Sequence, residues 1–84
     1  MLISIHAPRY QFLRQEMALI RKVAGLTQSE LGDLLGVGQS FVSKIERGEA
    51  YVDVMLLVDW CRHCKASASA LIGSVEKPEG ASFP

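Results

Sequence analysis

Long apolar runs are missing from this sequence. The longest, Val54 to Val58, falls far short of the roughly 18–20 residues that span a bilayer, which excludes a transmembrane helix. The opening Met1-Leu-Ile-Ser-Ile-His lacks the basic flank, long apolar stretch and small-residue cleavage site of a signal peptide, so a cytoplasmic location is the default expectation. Net charge is absent too: nine Lys and Arg balance nine Asp and Glu. A protein that coats nucleic acid without regard to sequence would need a large positive excess. Cysteine is scarce, and the two present, Cys61 and Cys64, are expected to stay reduced in a cytosolic chain. No nucleophile–base–orienter trio and no phosphate-cradling glycine loop can be found, which speaks against an enzyme.

What remains is apolar enough to fold. The 84 residues are 49% hydrophobic and 21% charged, a composition that supports a single small domain with one core. The charges are unevenly spread. Residues 1–47 carry six basic side chains (Arg9, Arg14, Arg21, Lys22, Lys44 and Arg47) against four acidic ones, and the remainder is net acidic. A site-specific binder with one cationic face fits this gradient.

Local signals divide the chain into short helices. Pro8 is tolerated near the start of the first, where its missing N–H has no helical partner. Leu13, Met17, Ile20 and Ala24 then recur at helical spacing, and Gly25 supplies a left-handed cap. Thr27-Gln28-Ser29-Glu30 reads as a capping box opening a second helix, Gln28 to Leu35, with Leu31, Leu34 and Leu35 inward; Gly36 stops it. A third helix, about Gln39 to Arg47, turns Val42 and Ile45 inward. Asp53 can cap a fourth running to about Lys65, and Ser67 a fifth ending before Gly73. The expected organisation is an arm over 1–8, a helical domain over 9–73 and a flexible tail over 74–84.

Two short helices joined by a glycine-containing turn form a helix-turn-helix unit, here about residues 28–47. Gly32 lies inside a helix, where it costs roughly 1 kcal/mol relative to Ala; a small residue there lets the third helix approach closely. Gly36 allows the chain to reverse with positive φ. Together with an exposed polar helix tip, this pattern points to a DNA reader rather than a plain helical hairpin.

The segment Gly25-Leu-Thr-Gln-Ser-Glu-Leu-Gly-Asp-Leu-Leu-Gly-Val-Gly-Gln-Ser-Phe-Val-Ser-Lys-Ile-Glu-Arg-Gly48 resembles the lambda-repressor/Cro-type (XRE) helix-turn-helix family, and the resemblance extends from about Leu13 to Ile72. It implies an all-α, five-helix, lambda-repressor-like domain that docks its third helix in the major groove of double-stranded DNA, usually as a dimer on a palindromic operator. Under it, Gln39, Ser40, Ser43 and Lys44 would read base edges. Gln39 has the amide geometry for a bidentate contact to adenine, and Lys44 could donate to guanine or a phosphate. Gln28 would hold a phosphate at a helix N-terminus, and Arg47 would clamp another or stand as a solvated charge favoured by the helix dipole. Arg21 and Glu46 occupy positions where the family often has an ion pair, which implies a structural role.

The sequence departs from the family in places. Gly38 replaces a hydroxyl residue at the third helix's N-cap. Phe41 stands where a small polar residue is frequent; it would touch a thymine methyl or pack beside the second helix. Glu49 and Ala50 occupy a loop that is often basic. Cys61-Arg-His-Cys64 has the C-x-x-C spacing, but zinc would want further ligands, and the resemblance implies that both cysteines stand where the family has apolar core residues of the fourth helix, a place where free Cys acts as a small hydrophobe. No metal and no cofactor are expected.

Apolar surface is in surplus at Leu19, Val23, Met55 and Leu56, and in an extended arm holding Leu2, Ile3 and Ile5. Contiguous exposed apolar patches mark interfaces, so a homodimer is expected in which the fourth and fifth helices, with or without the N-terminal arm, supply the contact, unless the arm folds back over its own first and fourth helices. The resulting expectation is a transcriptional regulator, most simply a repressor, with no small-molecule effector. The competing class is a protein-interaction module of the same fold, such as an antitoxin or an anti-repressor partner.

Overall fold

A computed structural model describes residues 4–76, which form α1 (Pro8–Val23), α2 (Gln28–Leu35), α3 (Gln39–Glu46), α4 (Val54–His63) and α5 (Ala68–Glu76). The architecture is all-α among the described residues. The anticipated arm residues Leu2 and Ile3, and residues 77–84 of the anticipated tail, lie outside them. Residues 4–7 make a turn instead of an extended arm, with the Ala7 N–H donating to the Ser4 carbonyl at 3.0 Å.

Local chemistry accounts for the helix ends. Pro8 stands in the first turn of α1. The Thr27 hydroxyl accepts from the Glu30 N–H at 3.0 Å while the Glu30 carboxylate accepts from the Thr27 N–H at 2.8 Å, completing the capping box. These bonds hold the Glu30 carboxyl below its usual range. Asp53 accepts from the Leu56 N–H at the start of α4, and the Ser67 hydroxyl from the Ala70 N–H at the start of α5. The first four helices end in the same double hydrogen-bonded turn around a left-handed residue. At α4 that residue is Lys65, with φ +56°, the one non-glycine residue of positive φ among the described residues.

The core is built from every helix. Met17, Leu31, Val42, Ile45 and Trp60 are completely buried, joined by Leu57, Cys61, Cys64 and Leu71. The Trp60 indole N–H donates to the Met17 carbonyl at 2.9 Å, so the largest core side chain leaves no polar atom unpaired. At the other end of α1, the Tyr10 hydroxyl bonds both the N–H and the carbonyl of Val52. Tyr10 also meets the Tyr51 ring edge-on, with centroids 5.3 Å apart.

Three details differ from the periodicity reading. Ala24 is exposed because α1 ends at Val23 and the chain turns away through Gly25. Leu34 is 50% exposed; on a two-turn helix Leu31 and Leu35 take the inner face. Helix α5 runs through Gly73 to Glu76. Val75, one turn beyond the buried Leu71, packs against the core, and that burial outweighs the roughly 1 kcal/mol cost of a helical glycine.

Gly32 sets the spacing of α2 and α3. A Cβ added there would lie 2.5 Å from the carbonyl carbon and oxygen of Gly38 and 2.9 Å from the Gln39 nitrogen. The Gly32 carbonyl accepts from the N–H groups of both Val37 and Gly38, at 3.0 and 3.2 Å. Backbone meets backbone where the third helix begins.

Candidate nucleic-acid interface

Helix α3 is held by its apolar side. Val42 and Ile45 are buried, and Phe41 packs against the core, which favours the packing role for this ring over a role at the surface. The opposite side begins at Gly38, an N-cap with no side-chain bond. Gln39, Ser40 and Lys44 are exposed and Ser43 is half-buried, so three of the four tip residues are open to solvent.

Arg21 and Glu46 meet in an ion pair between α1 and α3. Arg21 Nε donates to Glu46 Oε2 at 2.6 Å and Nη2 to Oε1 at 2.9 Å, while Nη1 donates to the Leu26 carbonyl at 2.8 Å. Both side chains are about one-tenth exposed. The bond to Glu46 raises the Arg21 pKa above its ordinary value, against the opposing effect of burial. The guanidinium therefore stays charged at any ordinary pH.

Gln28 lies in the same cluster. Its Nε2 donates to Glu46 Oε1 at 3.0 Å, and its Oε1 accepts from Gln39 Nε2 at 2.8 Å. A side-chain chain thus runs from Arg21 through Glu46 and Gln28 to the first residue of α3. The resemblance gave these residues separate roles, and no spacing rule would have joined them. The signal lay in the fold, which packs the start of α2 beside the C-terminal turn of α3.

Arg47 forms a fork with Glu49, Nε to Oε2 at 2.7 Å and Nη2 to Oε1 at 3.3 Å, and donates through Nη1 to Ser43 Oγ at 2.8 Å. In the sequence Arg14 is one positive charge among several. It donates from Nη1 to the Glu46 carbonyl at 2.9 Å, so a cation satisfies an orphan carbonyl at the negative end of α3. Its side chain also lies across Gly48, where an added Cβ would come within 2.7 Å of Nε. An open cleft of about 480 Å³ at this corner is lined by Arg14, Lys22, Gln28 and Arg47, among others. Arg14, Ala18 and Lys22 share a helical spacing of four, which sequence reasoning passed over for the neighbouring apolar stripe.

The residues expected to form a dimer contact are not brought into one patch. Val23 lines a cleft with His63 and Lys65 at the C-terminal end of α4, whereas Met55 lies in that helix's first turn and Leu19 faces the Gln28 corner. Leu19, Val23 and Met55 are exposed, but Leu56 packs against the core. Val54, next to Met55 in the chain, is 70% exposed. Cys61 and Cys64 are core residues whose thiols burial pushes up in pKa. Among the described residues no cluster of three metal-ligating side chains occurs, and no helix is long and apolar enough to cross a membrane.

Comparison with known proteins agrees with this geometry. A helix-turn-helix domain family matches residues 13–71. The fold is similar to that of an XRE-family like protein from Pseudomonas syringae, at 43% identity and a TM-score of 0.76, over 81% of this chain and 83% of that one. It is also similar to the clp gene regulator ClgR of Corynebacterium glutamicum, at 26% identity and a TM-score of 0.72, over 79% and 70% of the two chains. The restriction-modification controller protein C.AhdI of Aeromonas hydrophila matches at 25% identity and a TM-score of 0.65, over 71% and 91%. Among curated proteins no match was found. The chain belongs to the XRE-type helix-turn-helix family of DNA-binding transcription regulators.

Proposed function

We propose that the protein is a sequence-specific regulator that reads an operator through the major groove with α3 and represses by occluding a promoter. The observation that carries this reading is the uncovered polar tip on a braced helix: Gln39, Ser40 and Lys44 are exposed on an element fixed by the Arg21–Glu46 pair. In the proposed complex Gln39, Ser40, Ser43 and Lys44 face base edges. Gln28 and Arg47, at the mouth of the cationic cleft, hold phosphates that set the register of the helix. The protein is a binding module and not an enzyme, acts in the cytoplasm, and needs no metal, cofactor or small-molecule effector.

Two copies acting together would place their α3 helices about one DNA turn, ~34 Å, apart. Exposed Met55 on α4 and Ile72 on α5 supply apolar surface for such a homodimer. Selection of bound sequences from a random duplex pool tests the reading. An enriched palindrome with half-sites about 10 base pairs apart, whose preference is relaxed at one position per half-site in Gln39→Ala, is the expected outcome. Recovery of no preferred sequence would refute it.

A further inference from the structure

The hydrogen-bond chain behind Gln39 has a direction, and that direction bears on which base the residue accepts. This inference rests on the DNA-reading function proposed above. We infer that Glu46, largely shielded at the far end of α3 from Gln39, is a positioning residue for base specificity: it orients the Gln28 and Gln39 amides so that Gln39 prefers adenine to guanine.

A glutamine amide is donor at one end and acceptor at the other, and nothing in its shape decides which end points where. A carboxylate removes that freedom because it only accepts. Arg21 occupies both Glu46 oxygens, at 2.6 and 2.9 Å, and fixes their plane. The Gln28 group 3.0 Å from Glu46 Oε1 must therefore be its NH2, which leaves its oxygen to face Gln39. Gln39 in turn must offer its own NH2 across the 2.8 Å contact.

One amide hydrogen of Gln39 is thereby used. Its oxygen and second N–H remain for the groove. That acceptor–donor pair matches adenine, which offers the N6 amino group as donor and N7 as acceptor. Guanine offers only acceptors, O6 and N7, on the same edge. With the chain reversed, Gln39 would accept from Gln28 and keep both N–H groups free, a pattern that suits guanine. The ion pair at the base of the chain excludes the reversed state.

The test uses the full chain and duplexes carrying adenine or guanine at the position whose preference disappears in Gln39→Ala. Wild-type protein should favour adenine by about 10-fold or more, within the range of one bidentate contact. In Glu46→Gln the base of the chain becomes an amide that serves either direction, and the preference should fall to within about 3-fold of parity. Gln28→Met keeps the ion pair but cuts the chain, and should lose the preference likewise; it decides the matter if Glu46→Gln fails to fold. The ratio of affinities is the readout because uniform losses of phosphate contact or stability cancel in it. Both variants retaining the wild-type ratio would overturn the inference and leave the DNA-reading function standing. Absence of any sequence preference in wild-type protein would overturn both.

Discussion

Gly32→Ala separates helix propensity from packing in a single methyl group. On propensity alone the change should help, because alanine is favoured over glycine inside a helix by about 1 kcal/mol. Packing opposes it. The new Cβ would lie 2.5 Å from the Gly38 carbonyl carbon and oxygen and 2.9 Å from the Gln39 nitrogen. Comfortable non-bonded separations are about 3.5–4.0 Å, so the start of α3 would have to retreat by about 1 Å. The obstructing atoms are backbone, and no rotamer change relieves them. Overpacking of this kind costs about 1–3 kcal/mol; taking the upper end and subtracting the propensity gain leaves a net loss of about 2 kcal/mol. For a domain of this size that is a fall in Tm of about 8–16 °C, measured by thermal melts at 222 nm. Binding to the selected operator should fall further than the melt explains, since the segment displaced carries Gln39. A Tm equal to or above wild type would refute the close-approach argument.

Two further outcomes are expected. Glu49→Gln should leave stability within about 0.5 kcal/mol, because the pair with Arg47 is more than half exposed and surface pairs contribute little; it should instead tighten operator binding about 3- to 5-fold at low salt by freeing Arg47 for a phosphate. An equal gain in an Arg47→Gln background would show that Arg47 is not the group released. Lys65→Gly should raise the urea midpoint, with a gain of about 0.5 kcal/mol, since a side chain held at φ +56° is strained where glycine is not; a lowered midpoint would mean that the Lys65 side chain contributes more than its backbone costs.

The helical plan was legible because its signals are local. Thr27 and Glu30 lie three residues apart and Asp53 precedes its helix, and a cap needs nothing from elsewhere in the chain. Val42 and Ile45 were legible for a related reason, since a buried face repeats at the helical period. Leu34 was misread because two turns of helix have room for one inner row, and sequence spacing alone does not say which leucine stands at its edge. Helix α5 outlasted Gly73 because its end is decided by what Val75 packs against. Arg14, seen in sequence as one charge among several, reaches the end of a helix 32 positions away. No local rule spans that distance.

The same contrast explains why residue types at the tip were easier to find than their coupling. A polar helix tip is a list of side chains, available from the sequence, but the state of each amide depends on its partner. With Gln28 between them, a largely shielded carboxylate and the exposed Gln39 amide belong to one unit. This matters more in a chain whose net charge is zero than it would in a basic one. A strongly cationic domain draws most of its affinity from phosphates and tolerates imprecise base contacts. Here three of the cations beside α3 are already engaged, Arg14 with the Glu46 carbonyl, Arg21 with the Glu46 carboxylate and Arg47 with Glu49. Less affinity is then available from the backbone of any sequence, and discrimination has to come from a few groups held in the right orientation. A helix braced at both ends and an amide fixed from behind are what such a division of labour requires.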